Sequence, residues 1–317
     1  MDRSDAAGVN PKRPIALTIA GSDSGAGAGV QADLKTFAAV GVYGASVVTA
    51  LTAQNTKGVK AIHYPPPEIV AAQIEAVLED FAVAAIKIGM LGSAEIAGAV
   101  AERLGFPSPQ PSPAKPVERR ASFDALCGRG GESLLPLAGE GGPKGRMRAF
   151  IVYDPVMSAS SGDALSGAGF VETARRRLLP LVDCLTPNLA EAAALLDEPI
   201  ARSEADMARQ GAALLKLGPR AALIKGGHLE GDEAVDLLVT ANGVRRYVAP
   251  RIASRNLHGT GCTLSSAIAA NVVLGAPLPE AVAAAKAFVR EAIERGRRVT
   301  LCAGAGPVIQ ARLRSKL

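Results

Sequence analysis

The sequence predicts an α/β protein whose mostly parallel central sheet carries helices on both sides. Two observations lead there. Short apolar runs alternate along the chain with longer stretches of helical apolar spacing, the rhythm of repeated βαβ units. The 317-residue chain is also 48% hydrophobic but only 3% aromatic and has no Trp. Its core is therefore built from Ala, Val, Ile and Leu, which suits parallel strands buried on both faces. The length allows one large α/β domain or two small ones.

The elements follow in order. "PIALTIA" (14–20) is a short apolar run ending in glycine, a buried strand. "GSDSGAGAG" leads from it into a helix on which Val30, Leu34, Phe37 and Ala38 fall at helical spacing. "GASVVTALTAQN" (44–55) reads as a second strand. A helix opened by Pro67 and Glu68 and closed near Phe81 leads to a third, "AAIKIGML" (84–91). "AFIVYDPV" (149–156), the short "CLTPN" (184–188) and "AALIKGGH" (221–228) continue the series, with helical stretches between them. "EAVDLLVT" and "GVRRYVAP", joined by "ANG", form a hairpin. Two helices close the chain, the second with Leu278, Val282, Ala285, Val289 and Ile293 on one face.

Residues 105–148 break this rhythm, with seven Pro and eight Gly among 44 residues. Such a composition buries too little apolar surface to offset its ordering entropy. It stands where a loop of about two to six residues is usual. The segment reads as an insertion looping out of a single domain spanning 14–306, with 1–13 as a flexible N-terminal tail. A partner-binding or lid role is the alternative for so long a loop.

Several classes are excluded. No apolar run approaches the roughly 18 residues of a membrane span, and "MDRSDAAGVNPKRP" has no apolar stretch of the secretory kind. Cys127, Cys184, Cys262 and Cys302 show no CxxC spacing, which predicts free thiols in a reducing cytoplasm. His63, His228 and His258 are too scattered for a zinc site. The net charge is +5, but 105–148 carries seven Lys/Arg and four Asp/Glu, leaving only +2 for the rest. A nucleic-acid face needs basic residues spread over the folded surface, so none is expected.

Three glycine-rich turns each follow a strand: "GSDSGAGAG", "KGGH" and "HGTGCT". None fits GxxxxGK[ST]. Placed together at one rim of the sheet, they suggest bound phosphates and a small polar molecule. In "NLHGTGCTLSSAI" a glycine turn feeds a helix, whose unpaired N–H groups and dipole attract an anion. A cysteine there has its thiolate favoured by the helix N-terminus. Cys262 serves equally well as a small buried residue beside two turn glycines.

In order along the chain, "ALTIAGSDSGAGAGVQADLKTFAAVGVYGASVVTALTAQNT", "KIGMLGS", "DPVM", "TPNLAEAAALL", "IKGGH" and "HGTGCTLSSAIAA" resemble the hydroxymethylpyrimidine/phosphomethylpyrimidine kinases of thiamine biosynthesis, in the ribokinase-like superfamily. The resemblance leaves out only the opening residues, 105–148 and the last few. It implies a three-layer α/β/α ribokinase-like fold without a large lid, a homodimer, and ATP and Mg²⁺ as cofactors. The implied activity is two successive phosphorylations, of the pyrimidine's hydroxymethyl group and then of the monophosphate.

The resemblance also implies residue roles. Gly259, Thr260, Gly261 and Cys262 match the catalytic turn, with backbone N–H groups as an anion hole and Cys262 as the base facing the hydroxyl. The general ribokinase pattern has Asp at that position. Asn188 and Glu191 of "NLAE" match the N-x-x-E motif of the Mg–ATP site, though the same pair suits a helix N-cap with a first-turn carboxylate. Lys225 and Gly227 match the ATP-phosphate turn, and Asp154 joins Glu191 on the metal. Gln54 matches the pyrimidine-reading glutamine, whose amide offers a donor and an acceptor side by side. Asp23, Gly21, Met90 and Val156 match the substrate side, Met90 being equally at home in a core.

The sequence departs from the family at Ala26, a common glycine; at Ser160, often Lys; at Leu257, often Thr; and in "CAGAGPV", which lacks a preceding histidine. A pyridoxal/pyridoxine kinase of the same superfamily and a non-catalytic ligand-sensing relative are the alternatives. Intact Asn188, Glu191, Lys225 and Cys262 argue against the second.

Overall fold

The apolar runs of the sequence lie side by side as strands. The computed structural model describes residues 14–105, 148–159, 162–163, 165–227 and 229–311. The strands among them are β1 (Ile15–Asp23), β2 (Tyr43–Asn55), β3 (Gly58–His63), β4 (Val83–Ile88), β5 (Phe150–Tyr153), β6 (Cys184–Leu185), β7 (Ala221–Lys225), β8 (Glu233–Thr240) and β9 (Gly243–Pro250). They form one sheet in the order β3-β2-β1-β4-β5-β6-β7-β8-β9. From β2 to β7 all neighbours are parallel, while β3, β8 and β9 join antiparallel at the two edges. The chain runs outward from β1 to β2 and β3, then crosses back to β4. This reversal between β1 and β4 opens a crevice beyond their carboxyl ends, where ligands of such sheets bind.

The helices are α1 (Gly29–Val40), α2 (Pro67–Asp80), α3 (Ala94–Arg103), α4 (Phe170–Thr173, prolonged by turns to Leu181), α5 (Leu189–Leu196), α6 (Glu204–Leu215), α7 (Thr260–Val273) and α8 (Leu278–Gly296). On one face, Ile74 of α2, Val100 of α3, Leu195 of α5 and Leu214 of α6 share one core cluster with Leu17, Ile19, Ile86 and Ile224 of the sheet. On the other, Phe37 of α1, Ile268 of α7 and Val282 of α8 pack against Ala16, Ala85 and Leu223. The layers are therefore α/β/α, as expected. Local signals hold the ends in place. Pro67 and Glu68 open α2, and Gly41, at φ 95°, closes α1 with its N–H on the carbonyls of Phe37 and Ala38.

Two details differ from the sequence-based expectation. Strand β3 was not anticipated, because "GVKAIH" is an edge strand with no buried face to impose alternation. The strands read as 149–156 and 184–188 keep only Phe150–Tyr153 and Cys184–Leu185, because Pro155 and Pro187 follow closely and cannot donate to the ladder. The hairpin of β8 and β9 pairs as expected, Thr240 opposite Gly243. The N-terminal tail, residues 106–147 of the proposed insertion, Ser160 and His228 lie outside the described residues. Among the described residues no helix is long and apolar enough to cross a membrane.

Candidate active site

The first loop is organised by one carboxylate. Asp23, at the end of β1, is 2% exposed. Its Oδ1 accepts from the Gly25 N–H at 2.7 Å, and its Oδ2 from the N–H groups of Gly27 at 2.9 Å and Ala28 at 2.8 Å. The His258 ring at 2.9 Å and the Gln54 side chain complete its partners. Burial alone would raise the Asp23 pKa; these donors outweigh it and hold the carboxyl at about 2. The chain then turns into α1 through Gly29, at φ 57°, where a Cβ would stand 2.2 Å from the Gly21 carbonyl oxygen. Asp23 was expected to face the substrate. Protein donors meet both its oxygens, so the same carboxylate also shapes the loop.

Gln54 lies near the end of β2, and its backbone is fastened to that loop. Ser24 Oγ donates to the Gln54 carbonyl at 2.7 Å and accepts from the Gln54 N–H at 3.0 Å. Beside it, Met90, Ala50 and Leu165 form a small apolar cluster against which Val156 packs. A Cβ on Gly21 would come within 3.1 Å of Met90 Sδ. Gly21, Met90 and Val156 therefore converge, while the Gln54 side chain meets the Asp23 carboxylate.

The phosphate side is built by the start of α7. Gly259, at φ 82°, precedes Thr260, and no side chain caps the helix. A Cβ on Gly259 would stand 1.9 Å from the Gly27 carbonyl oxygen, so the first loop and this turn touch backbone to backbone. Beneath the turn lies a fully buried ion pair, Lys87 Nζ to Asp33 Oδ2 at 2.8 Å. Thr18 and Ser266 each donate a hydroxyl to Asp33 at 2.6 Å. Burial alone would discharge Lys87; Asp33 chiefly, with Asp154, keeps it charged.

Cys262 departs from expectation. Burial pushes its thiol up to about 11, with Asp33 and Asp154 pushing the same way and Lys87 and the Gly29 N–H opposing. The desolvation of a thiolate wedged in the protein outweighs the helix N-terminus that was expected to favour it.

A charged cluster faces this turn. Lys225, at the end of β7, donates to Asp154 Oδ1 at 2.6 Å and lies 3.7 Å from Glu191 Oε2. A Cβ on Gly261 would come within 3.3 Å of Lys225 Nζ and 3.4 Å of Asp154 Oδ2. Asn188 and Glu191 form the capping box of α5: Asn188 Oδ1 accepts the Glu191 N–H at 2.9 Å, and Glu191 Oε2 accepts the Asn188 N–H at 2.7 Å. Burial pushes the Glu191 carboxyl up, to about 7, against the pull of Lys225. Gly227 lies exposed in the next loop, where Arg251 donates to the carbonyls of Gly227, Leu229, Gly231 and Glu233.

The donor chemistry of this cluster fits a magnesium ion that shares phosphate oxygens. Mg²⁺ usually takes one or two carboxylates plus waters and substrate phosphates. Asp154 and Glu191 offer two carboxylates around one ammonium. Among the described residues no group of three or more His, Cys, Asp or Glu stands ready as an all-protein metal cage.

Sequence reasoning missed Lys87, Asp33, His258 and Arg251. Lys87 had a readable signal, a lysine inside the apolar strand "AAIKIGML". For His258 and Arg251 the partners lie far off in the chain, and nothing local announces them.

The comparisons with known proteins agree with this geometry. A sequence profile described as phosphomethylpyrimidine kinase matches residues 23–128 and 144–309, and its break falls inside the Pro/Gly-rich segment. A hydroxymethylpyrimidine/phosphomethylpyrimidine kinase of Rhizobium meliloti is 48% identical over 93% of this chain and 96% of its own length. The crystal structure of the phosphomethylpyrimidine kinase of Clostridium difficile superposes with a TM-score of 0.67 at 40% identity, covering 89% of this chain and all of that one. The pyridoxal kinase of Staphylococcus aureus, in complex with AMP-PCP and pyridoxal, superposes with a TM-score of 0.74 at 29% identity, covering 94% and 93%. Glycine turns, buried carboxylates and the cysteine at the head of α7 thus stand in a chain matched along nearly its whole described length: it belongs to the phosphomethylpyrimidine kinase family.

Proposed function

We propose that this chain transfers the γ-phosphoryl group of ATP to the hydroxymethyl oxygen of 4-amino-5-hydroxymethyl-2-methylpyrimidine, and then phosphorylates the monophosphate to the diphosphate, in thiamine biosynthesis. The observation that carries this reading is the meeting of Gly261 with Lys225 and Asp154, within 3.4 Å of where a Cβ would stand. An uncapped helix start, a lysine and two carboxylates then share one small volume. Phosphoryl transfer asks for this, since it depends on positioning and charge neutralisation.

In this reading the Gln54 amide pairs with the pyrimidine's amino group and ring nitrogen, while Met90, Val156 and Gly21 pack on the ring. The N–H groups of Gly259, Gly261 and Cys262 receive the moving phosphoryl group, and that of Thr260, which donates to the Leu257 carbonyl at 3.2 Å, joins them once that bond is exchanged. Asn188 and Gly227 line the nucleotide side, and Lys225 shifts from Asp154 towards the ATP phosphates. Asp154 and Glu191 would hold Mg²⁺, which when bound neutralises phosphate charge. The new P–O bond forms at the hydroxymethyl oxygen, the bond from γ-phosphorus to the β,γ-bridging oxygen breaks, the hydroxyl proton passes to an oxygen of the transferred phosphoryl group and on to solvent, and ADP leaves. A neutral Cys262 thiol adds little as a base, and a loose transition state asks little of one.

ATP as donor is supported by the AMP-PCP bound to the Staphylococcus aureus relative. A homodimer belongs to the same reading and is read by light scattering. Pyridoxal phosphorylation is the second reading, because the pyridoxal kinase superposes over 94% of the chain. The test is ADP release with the hydroxymethylpyrimidine, its monophosphate and pyridoxal side by side. The two pyrimidines should turn over at least about tenfold faster than pyridoxal in kcat/KM, a gap of about 1.4 kcal/mol. Preference for pyridoxal would select the second reading.

A further inference from the structure

The phosphate turn and the first loop are joined by a side chain that the proposed chemistry does not use. His258 precedes Gly259, and its Nε2 lies 2.9 Å from Oδ2 of Asp23, across 235 residues of sequence. An ionised carboxylate only accepts, so Nε2 carries the proton and donates.

The surroundings are built around this contact. A Cβ on Gly27 would stand 2.3 Å from His258 Cδ2 and 3.0 Å from the Pro307 ring, so only glycine leaves room for the imidazole. The backbone of His258 is fastened on both sides. Its N–H donates to the Gly306 carbonyl at 3.1 Å, and its carbonyl accepts from Val308 at 3.1 Å. Asn256 donates to the carbonyls of Gly296 at 2.7 Å and Val299 at 2.8 Å, and accepts from the Gly306 N–H at 3.0 Å. The base of the histidine is therefore rigid, and its ring reaches from that base to Asp23. The same carboxylate accepts from the Gln54 side chain. One line of contacts then runs from the amide that reads the pyrimidine, through Asp23 and His258, to the turn that receives phosphate.

We propose that His258 is a positioning residue which sets the register between substrate and phosphate turn by donating to Asp23. It touches no reacting atom. The inference rests on the kinase reading, and wild-type turnover of the hydroxymethylpyrimidine tests that reading separately. If the wild type is inactive on it, the kinase reading fails; if the wild type is active, the ratio of variant to wild type decides on His258.

His258→Phe keeps a ring against Gly27 and removes the donor, whereas His258→Gln keeps a donor of similar reach. With register lost, kcat for His258→Phe should fall about 10- to 100-fold, since a misplacement near 1 Å costs up to about 10²-fold. KM for ATP should stay within about twofold of wild type, because the Lys225 side of the site is untouched, and His258→Gln should recover most of kcat. In the double variant His258→Phe/Asp23→Asn the losses should not multiply, since both act through one contact. Wild-type kcat in His258→Phe would overturn the assignment. So would equal losses in the Phe and Gln variants, a parallel rise in KM for ATP, or multiplying losses in the double variant. Should His258→Phe fail to fold, the same kinetics on His258→Gln and Asp23→Asn decide: near-wild-type kcat in Gln with a selective kcat loss in Asn supports it, and any other pattern overturns it.

Discussion

Lys225 Nζ lies 2.6 Å from Asp154 Oδ1 and 3.7 Å from Glu191 Oε2, so the ammonium at the end of β7 is neutralised before any phosphate arrives. Burial alone would pull it below the usual lysine range, and the two carboxylates more than offset that. The lysine is thereby kept charged and pointed at Gly261, at no more cost on ATP binding than exchanging one anion for another. Lys225→Met should raise KM for ATP at least about tenfold and destabilise the protein by about 3–5 kcal/mol, the usual result of stranding buried charge. Steady-state kinetics and thermal melts check both. An unchanged KM for ATP would remove the lysine from the nucleotide site.

A thiol held near 11 makes Cys262 a poor base at neutral pH. Cys262→Ala keeps the backbone N–H groups of the turn, so kcat should drop by less than about tenfold, equally for the alcohol and for the monophosphate. A positioned base would contribute about 10²–10⁴ on the alcohol alone. A loss of that size confined to the first phosphorylation would restore the base role.

Asp23 contributes stability with a definite pH signature. Its folded pKa, about 2, lies below its ordinary value near 3.8, so the unfolded chain binds the proton first as pH falls. The contribution is complete above about pH 4 and is lost as pH drops towards 2, with a size of about 2 kcal/mol. The gap in stability between wild type and Asp23→Asn should therefore be widest above pH 4 and narrow in acid. Denaturant melts across that range measure it. A gap that stays constant or widens in acid would mean that Asp23 acts through shape alone.

The segment read as an insertion leaves the domain far from the site. Gly105 and Arg148 line one groove with Val83, Ile86, Ala149 and Ile151, at the ends where β4 and β5 begin. Asp154 and Met90 lie just past the opposite ends. Replacing residues 107–146 by a short Gly/Ser linker should leave kcat and Tm nearly unchanged, as closure entropy varies slowly with loop length. Loss of soluble protein on this replacement would show that the segment packs on the domain.

Much of this was legible in the sequence because its causes are local. The alternation of Val and Ile runs with helical spacing gave the layers, and Met90, Val156, Asn188, Glu191 and Lys225 lie along one rim because they stand at or just past the ends of β4, β5, β6 and β7. Glu191 shows the limit: "NLAE" forms the capping box of α5, and nothing in those four letters states that the same carboxylate lies 3.7 Å from Lys225. Burial is the quantity a sequence states least well. It pushes the Cys262 thiol up, against the helix N-terminus expected to lower it, and it sets Asp23 among the donors of its own loop. The Asp23–His258 contact spans 235 residues, so no window of sequence contains it.

The central claim is that one site phosphorylates the same pyrimidine twice. The direct measurement is a time course of the hydroxymethylpyrimidine with excess ATP, followed by phosphorus NMR with mass identification of the products. The account predicts a monophosphate that rises first and then gives way to the diphosphate, with two ADP released per pyrimidine. A monophosphate that accumulates without further conversion, or no phosphorylated pyrimidine at all, would contradict it.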